Sequence, residues 1–572
     1  MPANPFTLGD DFDLGSSYLG GNAPPAVYDA RAATLFVAEI DAYDPATRIT
    51  SVLRASDLGY RTAPSDSMGV VAYPGVLDQA FEIDRRVSLD PAGTNAATFG
   101  AIRLVNLGGR FDAFVQSRNI GGRNLRLKIG QKTYDPGRGI YTDPSYDDLR
   151  PFLFCTSGPV LLGEDVLTIP ISDLTHLGDK PLQSRRYGGT GRLDGTPDLA
   201  GKPKPMTRGG TLALPVPNVP LRLVDPVANI WAWTDGPGSL VTLYEGGAPV
   251  FAQAGDVADL YAGTTPPGAY RTCNALGVLQ LGSKPVRALS ADVTGTGPAT
   301  AVALARSVLL ADLACNADLL DGGTFTLLDR AYPWLAGFHV ADGSARGLDV
   351  VQRLLGSVGG RLLSGRDGYL GAFVLSPPLP DAVPAARLGP SNVVSVAPIA
   401  LPAALDPPPR RWQVGWGVNH QVQASDFNGD LTPERKQFLA AASRYATWDG
   451  PAVAAAWGQP GEPAPLDTYL LATADAQALA DRLGALWQDR PDCYAVAVPI
   501  TVGAALIIGD AVELTWPLGL LRLGRVGVIF GEQTRSYDGT VTFAVAMLSP
   551  FIEAGDFSGD EFGGDISGGS AT

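Results

Sequence analysis

Histidine, cysteine and serine carry much of the nucleophilic and metal chemistry of proteins, and in this chain they are sparse or badly placed for it. The three histidines, His176, His339 and His420, stand far apart in sequence. None has a Ser, Cys or carboxylate at a spacing that implies a catalytic dyad. The four cysteines, Cys155, Cys273, Cys315 and Cys493, form no Cys-x-x-Cys pair and no Cys/His group. They therefore indicate no disulfide framework, zinc site or iron–sulfur cluster, and are expected to be free or buried thiols. No Gly-x-Ser-x-Gly elbow occurs, which removes the nucleophile of an α/β-hydrolase. None of the 58 acidic residues stands in a setting recognisable as a glycosidase pair.

Weaker patterns fail on their own physics. In the run from Gly277 to Lys284, Ser283 separates Gly282 from Lys284. A phosphate loop needs the Lys directly after the second Gly, then a hydroxyl for magnesium, and a helix to follow. Gly189-Thr190-Gly191 lacks the third glycine and the preceding strand of a dinucleotide fingerprint. Asp556, Asp560, Glu561 and Asp565 offer oxygen donors, but at the spacing of no calcium loop, and read as a solvated tail. Trp231 and Trp233, two apart on a strand, share one face, which one core face explains as well as a sugar platform. The expectation is a chain with no catalytic residue, no cofactor and no metal.

The elements that would have to position any site are mainly strands. Gly (69) and Pro (47) are abundant among 572 residues, a bias toward short strands and turns, and the length predicts about three to five domains. Hydrophobic residues make up 45% and charged residues 18%, enough for packed cores under a weakly charged surface. A net charge of −15 excludes a broad electrostatic grip on nucleic acid. The start, MPANPFTLGDDFD, lacks the basic and apolar regions of a signal peptide, and the apolar run 497–508 is too short to span a bilayer. The chain reads as a soluble, cytosolically made protein.

The fold class expected is mainly β with smaller α+β parts, as several domains: β-barrel domains with inserted helical regions. Residues 1–30 form an arm rich in Gly, Asp, Ser and Pro. Residues 31–178 make a first barrel-like domain: LFVAEIDAYDP and ITSVLRAS read as a hairpin, and RNLRLKIG alternates apolar Leu125, Leu127 and Ile129 with Arg126 and Lys128. Residues 179–297 hold a Gly/Pro-rich connector and a second β-rich domain, in which residues 244–250 read as strand, turn and strand.

Residues 298–384 form a small α+β domain. Its first helix runs through Val302, Ala305, Leu309 and Leu313 with Thr300 as cap, a second covers 347–359, and a hairpin turns at Asp367-Gly368. Residues 385–552 form a C-terminal barrel-like domain with a helical insertion. One inserted helix starts at Thr432-Pro433, the other is capped by Thr473 and faces inward through Ala476, Leu479, Leu483 and Leu486. Asp538-Gly539 marks a turn, and residues 553–572 are an acidic tail.

The connector concentrates Arg185, Arg186, Arg192, Lys202 and Lys204 within a chain of negative net charge. Pro203 and Pro205 restrict their own φ and extend the residues before them, which lowers the entropy lost on docking. These five cations are the candidate interface residues, expected to meet acidic surfaces on a neighbour or another domain.

In order along the chain, LFVAEIDAYDP, SDLGYRTAPSD, LGGRFDAFV, GGRNLRLKIG, DLAGKPKP, SADVTG, FNGDLTPERKQFLA and VGAALIIGDAVELTW resemble the tail hub (baseplate hub) proteins of long-tailed bacteriophages and related gene transfer agents. The resemblance spans about residues 31–550, and it departs at Gly108-Gly109, where the family favours an Asp-Gly turn. It implies a homotrimeric ring at the distal end of the tail tube, in the virion, with two similar barrels per subunit adapting a threefold tip to a sixfold tube. It further implies a role in host attachment and genome ejection. The partners implied are the distal tail protein ring, other tail-tip or fibre proteins, the tape measure protein and the host surface. DNA passes through such a ring without stable binding, and no catalytic residue carries over. The alternatives are a receptor- or carbohydrate-binding tail-tip protein and a tail-associated peptidoglycan hydrolase.

Overall fold

A computed structural model describes residues 33–548 apart from 80–81, 94–95, 379–381, 430, 459 and 536–538. The expected arm, the acidic tail and Asp538 of the expected turn lie outside the described residues. Strand accounts for 38% and helix for 19%, in several sheets that include a nearly closed barrel and a half-barrel. The chain is mainly β and multidomain.

The first sheet has nine strands. Ala33–Asp44 pairs with Ile49–Ser56 as the expected hairpin, and its other edge pairs with Asn124–Asp135. Alternation decides the faces: Leu125, Leu127 and Ile129 are buried, while Arg126 and Lys128 stay half-buried on the other side. On that other side Tyr73 and Tyr146 donate to Glu39 at 2.6 and 2.7 Å. Burial pushes the Glu39 carboxyl up, but the two hydroxyls, Lys128 and Arg126 outweigh it and hold the carboxyl below its ordinary range.

The C-terminal sheet has eight strands, built around Arg525–Arg535, Thr540–Met547 and Asp492–Pro499. Pro499 ends the last of these, and the chain turns into the short helix Ile500–Gly503 instead of continuing as strand. Two of the eight strands come from the other end of the chain. Glu82–Arg86, paired with Ala96–Phe99, lies against Arg525–Arg535 from Gly531 to Arg535. The cores of the two sheets are consequently continuous: Ile40, Leu104, Leu127 and Ile169 belong to the same buried cluster as Val498, Ile529, Phe543 and Val545.

Between these sheets in sequence, residues 216–293 form a three-stranded and a five-stranded sheet around Trp233, Leu243, Leu279 and Val293. The expected strand–turn–strand at 244–250 is only half realised. Leu240–Glu245 ends in a turn, and the next strand, Ala252–Asp256, joins the five-stranded sheet instead.

A helical body follows. Ala301–Ser307 continues as a π-helical turn to Asp312, and Gly347–Gly356 packs against it over Val351, Leu354 and Leu355. Thr300 occupies the N-cap position of the first helix without a side-chain cap bond. The hairpin at Asp367-Gly368 forms as expected, pairing Gly360–Ser364 with Leu370–Val374.

The insertion in the C-terminal sheet holds the strand pair Arg411–Trp416 and Arg444–Asp449, covered by the helix Thr473–Trp487. Gly484 permits close approach there, since a Cβ at this position would sit 2.2 Å from the Trp448 ring. Thr473 is the first helical residue and Ala472 the N-cap, one position away from the expected cap. Thr432 does cap its helix, accepting from Arg435 N at 3.3 Å with Pro433 at the first helical position.

Candidate functional site

Three distant stretches of chain meet at one buried carboxylate. Glu532 lies on Arg525–Arg535, Arg85 on the crossing strand Glu82–Arg86, and Arg366 at the tip of the hairpin 360–374. Arg85 Nε donates to Glu532 Oε1 at 2.7 Å, with its Nη2 on the same oxygen, and Arg366 Nη2 donates to Oε2 at 2.6 Å. The Glu532 side chain is 1% exposed. Burial pushes its carboxyl up, but the Arg366 and Arg85 guanidiniums outweigh that and hold it down at about 2.

One further nitrogen of each arginine reaches backbone. Arg85 Nη1 donates to Ser364 O at 2.8 Å and Arg366 Nη1 to Gly503 O at 3.0 Å. Arg366 also lies over the Phe152 ring of the first sheet, 5.0 Å from its centroid. Gly368, with φ +91°, brings the turn down onto Phe154, whose ring a Cβ would meet at 2.4 Å. The hairpin tip thus touches both large sheets at once. Beside it a cavity of about 290 Å³ is lined by Leu328, Tyr332, Phe373, Ile508 and Val528 together with the two arginines. Asp510, at the end of the loop following Ile500–Gly503, is half-buried, and the loss of water around it pushes its carboxyl up to about 6 against the pull of the Ile507 N–H and Arg366.

The five connector cations lie elsewhere, on a folded loop. Lys204 N donates to Arg185 O, Tyr187 N to Lys202 O, and Gly201 N to Tyr187 O, which ties the loop's two ends together. Tyr187 and Leu199 are buried with Val224, Ile230 and Val278 of the adjacent five-stranded sheet. Arg185 Nη1 donates to Asp235 O at 2.9 Å, and Arg186 Nη1 to Gly201 O at 2.7 Å. Arg192 stacks on Tyr261 at 3.9 Å and Lys204 faces Tyr187 at 5.3 Å. Arg185, Arg186, Arg192 and Lys202 are exposed and Lys204 is half-buried.

The other sequence candidates find plain settings. All four cysteines are buried and free. Gly277 turns between Ala269–Cys273 and Val278–Leu281, with no helix after it. Trp233 is fully buried and Trp231 half-buried with its Nε1 bonded to Asn229 at 3.0 Å, and both pack on one core, so they form no sugar platform. His339 and His420, remote in sequence, face each other with ring centroids 5.6 Å apart, while His176 lies apart beside Thr156.

Sequence reasoning missed Arg85, Arg366 and Glu532. The one available signal was an acid inside the otherwise apolar run VGVIFGEQT, where burial would demand a cation from somewhere else.

No family model matches the chain, and no curated protein matches it. Among solved structures it is similar to the tail protein from Neisseria meningitidis MC58, at 11% identity and a TM-score of 0.33, over 89% of this chain and 96% of that one. It is similar to the 43 kDa tail protein of prophage MuSo2 from Shewanella oneidensis at 8% identity and a TM-score of 0.31, over 85% and 95% of the two chains. A chain of the virion of a native gene transfer agent particle is 15% identical with a TM-score of 0.34, over 66% of this chain and 92% of that one.

Proposed function

We propose that this protein is a structural component of a phage-like tail, and within it the hub: three copies close a ring at the distal end of the tube. The observation that carries the reading is the pairing of two β bodies within one chain. The nine-stranded and the eight-stranded sheet share a core and a crossing hairpin. Three such chains would present six β bodies in fixed relation, which is what a threefold tip on a sixfold tube requires. The ordered series of motifs in the sequence supports the same reading.

The eight-stranded sheet leaves Ser395–Pro398 at its end, short, largely exposed and closed by a proline. Such an edge resists aggregation yet leaves pairing groups that a neighbour can cover. The distal tail ring, fibre proteins and tape measure protein are the partners this role would bring, and the connector cations are the surface proposed to meet acidic neighbours. A catalytic role is not part of the reading, so the isolated chain should not clear purified peptidoglycan. Size-exclusion chromatography with light scattering tests the assembly: a mass three times that of the 59.6 kDa chain supports the ring. A stable monomer at all concentrations would overturn it in favour of a receptor-binding tip protein.

A further inference from the structure

The connector carries more positive charge than its own surroundings neutralise. Its two ends run antiparallel: Arg186 is bridged to Pro203 and Lys204 N donates to Arg185 O, so Arg185 stands opposite Lys204. Like charges placed opposite one another on such a ladder repel. Only two acids, Asp194 and Asp198, lie among the five cations of residues 185–205, and both are engaged within the loop. Asp194 accepts from Gly188 N at 3.0 Å and from Thr190 Oγ1 at 2.7 Å, and the Thr196 hydroxyl holds Asp198. Asp235 is shared out as well: Arg208 Nη1 lies 2.9 Å and Gln183 Nε2 3.1 Å from its carboxylate, with Arg185 Nη1 at 3.8 Å. Beside these charges the surface is apolar. Leu193 and Tyr261 are half-buried against the core of Tyr187 and Leu199, and Val227, next to Ala228 of that core, is 96% exposed.

Beyond Leu548, the last described residue, the sequence supplies the complement. Glu553, Asp556, Asp560, Glu561 and Asp565 follow with no Lys or Arg among residues 549–572. They are interleaved with Phe551, Ile552, Phe557, Phe562 and Ile566. At about 3.3 Å per residue, the chain from Leu548 to Asp565 can reach about 55 Å. Symmetry decides which connector it meets. A ring of three needs two different, complementary surfaces on every chain, whereas a self-complementary patch closes a pair. One cationic loop and one anionic segment on the same chain meet that requirement, and neither can pair with its own copy.

We propose that residues 553–565 of one copy lie across the connector of the next. Their carboxylates meet Arg185, Arg186, Lys202 and Lys204, and their aromatic residues cover the apolar surface around Val227 and Tyr261. The inference rests on the trimeric ring proposed above and names the partner of its connector. Charge complementarity of this kind fixes which surfaces meet and how fast they find each other.

The test is light scattering on the full chain with its acids neutralised by Glu553→Gln, Asp556→Asn, Asp560→Asn, Glu561→Gln and Asp565→Asn. Association should weaken by at least about tenfold with the urea midpoint unchanged. Reversing the same five acids to Lys should also break the trimer, and combining that with Arg185, Arg186, Lys202 and Lys204 reversed to Glu should restore it. A carbodiimide, which joins amines to carboxylates without a spacer, should link Lys202 or Lys204 of the wild type to these acids. Those links should occur in the dimer and trimer bands of a denaturing gel and be absent from the single-chain band. A wild-type trimer untouched by neutralising the acids, a doubly reversed chain that stays monomeric, or links confined to the single-chain band would overturn this contact and leave the ring standing. A wild type that is monomeric at all concentrations would overturn the ring and this contact together.

Discussion

The junction at Glu532 and the connector loop at 185–205 use the same pairings of charge and carbonyl to opposite ends. At the junction, Glu532 and its partners Arg85 and Arg366 come from three remote stretches and are at most 9% exposed. On the connector, Arg186 bonds Gly201 within the same loop, and the Arg185 side chain is 65% exposed. A buried pair that loses one member leaves a charge stranded in a medium that cannot solvate it, whereas a solvated pair loses little. The first region can hold a fold together but is closed to partners. The second is open to partners but holds little of the fold.

The largest expected effect follows directly. Glu532→Ala strands Arg85 and Arg366 and should cost about 3–5 kcal/mol, read as the shift in urea midpoint. Replacing all three residues with apolar side chains of similar volume should restore much of that loss. If the triple replacement is as unstable as the single one, the charges are not the cause.

Acid should expose the same carboxylate. Because the folded Glu532 carboxyl sits at about 2, below its ordinary 4.5, its stabilisation is complete above pH 4.5 and is lost as pH falls toward 2. The expected size is about 3 kcal/mol, and the Glu532→Gln variant should lack this arm of the pH–stability curve. Asp510 has the opposite sign. Its folded carboxyl is raised to about 6, so the neutral form favours folding below pH 3.8, and that benefit is lost as pH rises through 6. Asp510→Asn should therefore stabilise the protein at pH 7 and leave it unchanged at pH 3.

A smaller loss is expected from Gly368→Ala, which meets both a positive φ and the Phe154 ring. It should lower stability by about 2 kcal/mol, measured by thermal unfolding. The smallest effect on the chain itself belongs to the connector. Reversing Arg185, Arg186, Lys202 and Lys204 to Glu should change monomer stability by less than about 1 kcal/mol.

The same contrast explains what could be read from the sequence. Alternation in Asn124–Asp135, the Thr432-Pro433 helix start and the Asp367-Gly368 turn are set by neighbours a few residues away, and all three are legible. The connector cations were visible for the same reason, as a local run of charge. Glu82–Arg86 carries no such signal, because its pairing partner is Arg525–Arg535 at the far end of the chain. Arg85, Arg366 and Glu532 are ordinary charged residues until the fold buries them together. His339 and His420 likewise become a pair only when two bodies dock. Even Thr473 shows the limit: Thr is a good capping residue, yet the helix begins one residue earlier than that rule places it.

The claim that the connector binds partners while the junction holds the fold is tested most directly by light scattering on the Arg185, Arg186, Lys202 and Lys204 to Glu variant. It should keep the wild-type urea midpoint and elute at the mass of a single 59.6 kDa chain under conditions where the proposal expects the wild type to elute at three times that mass. A variant that still forms the wild-type trimer would contradict the account.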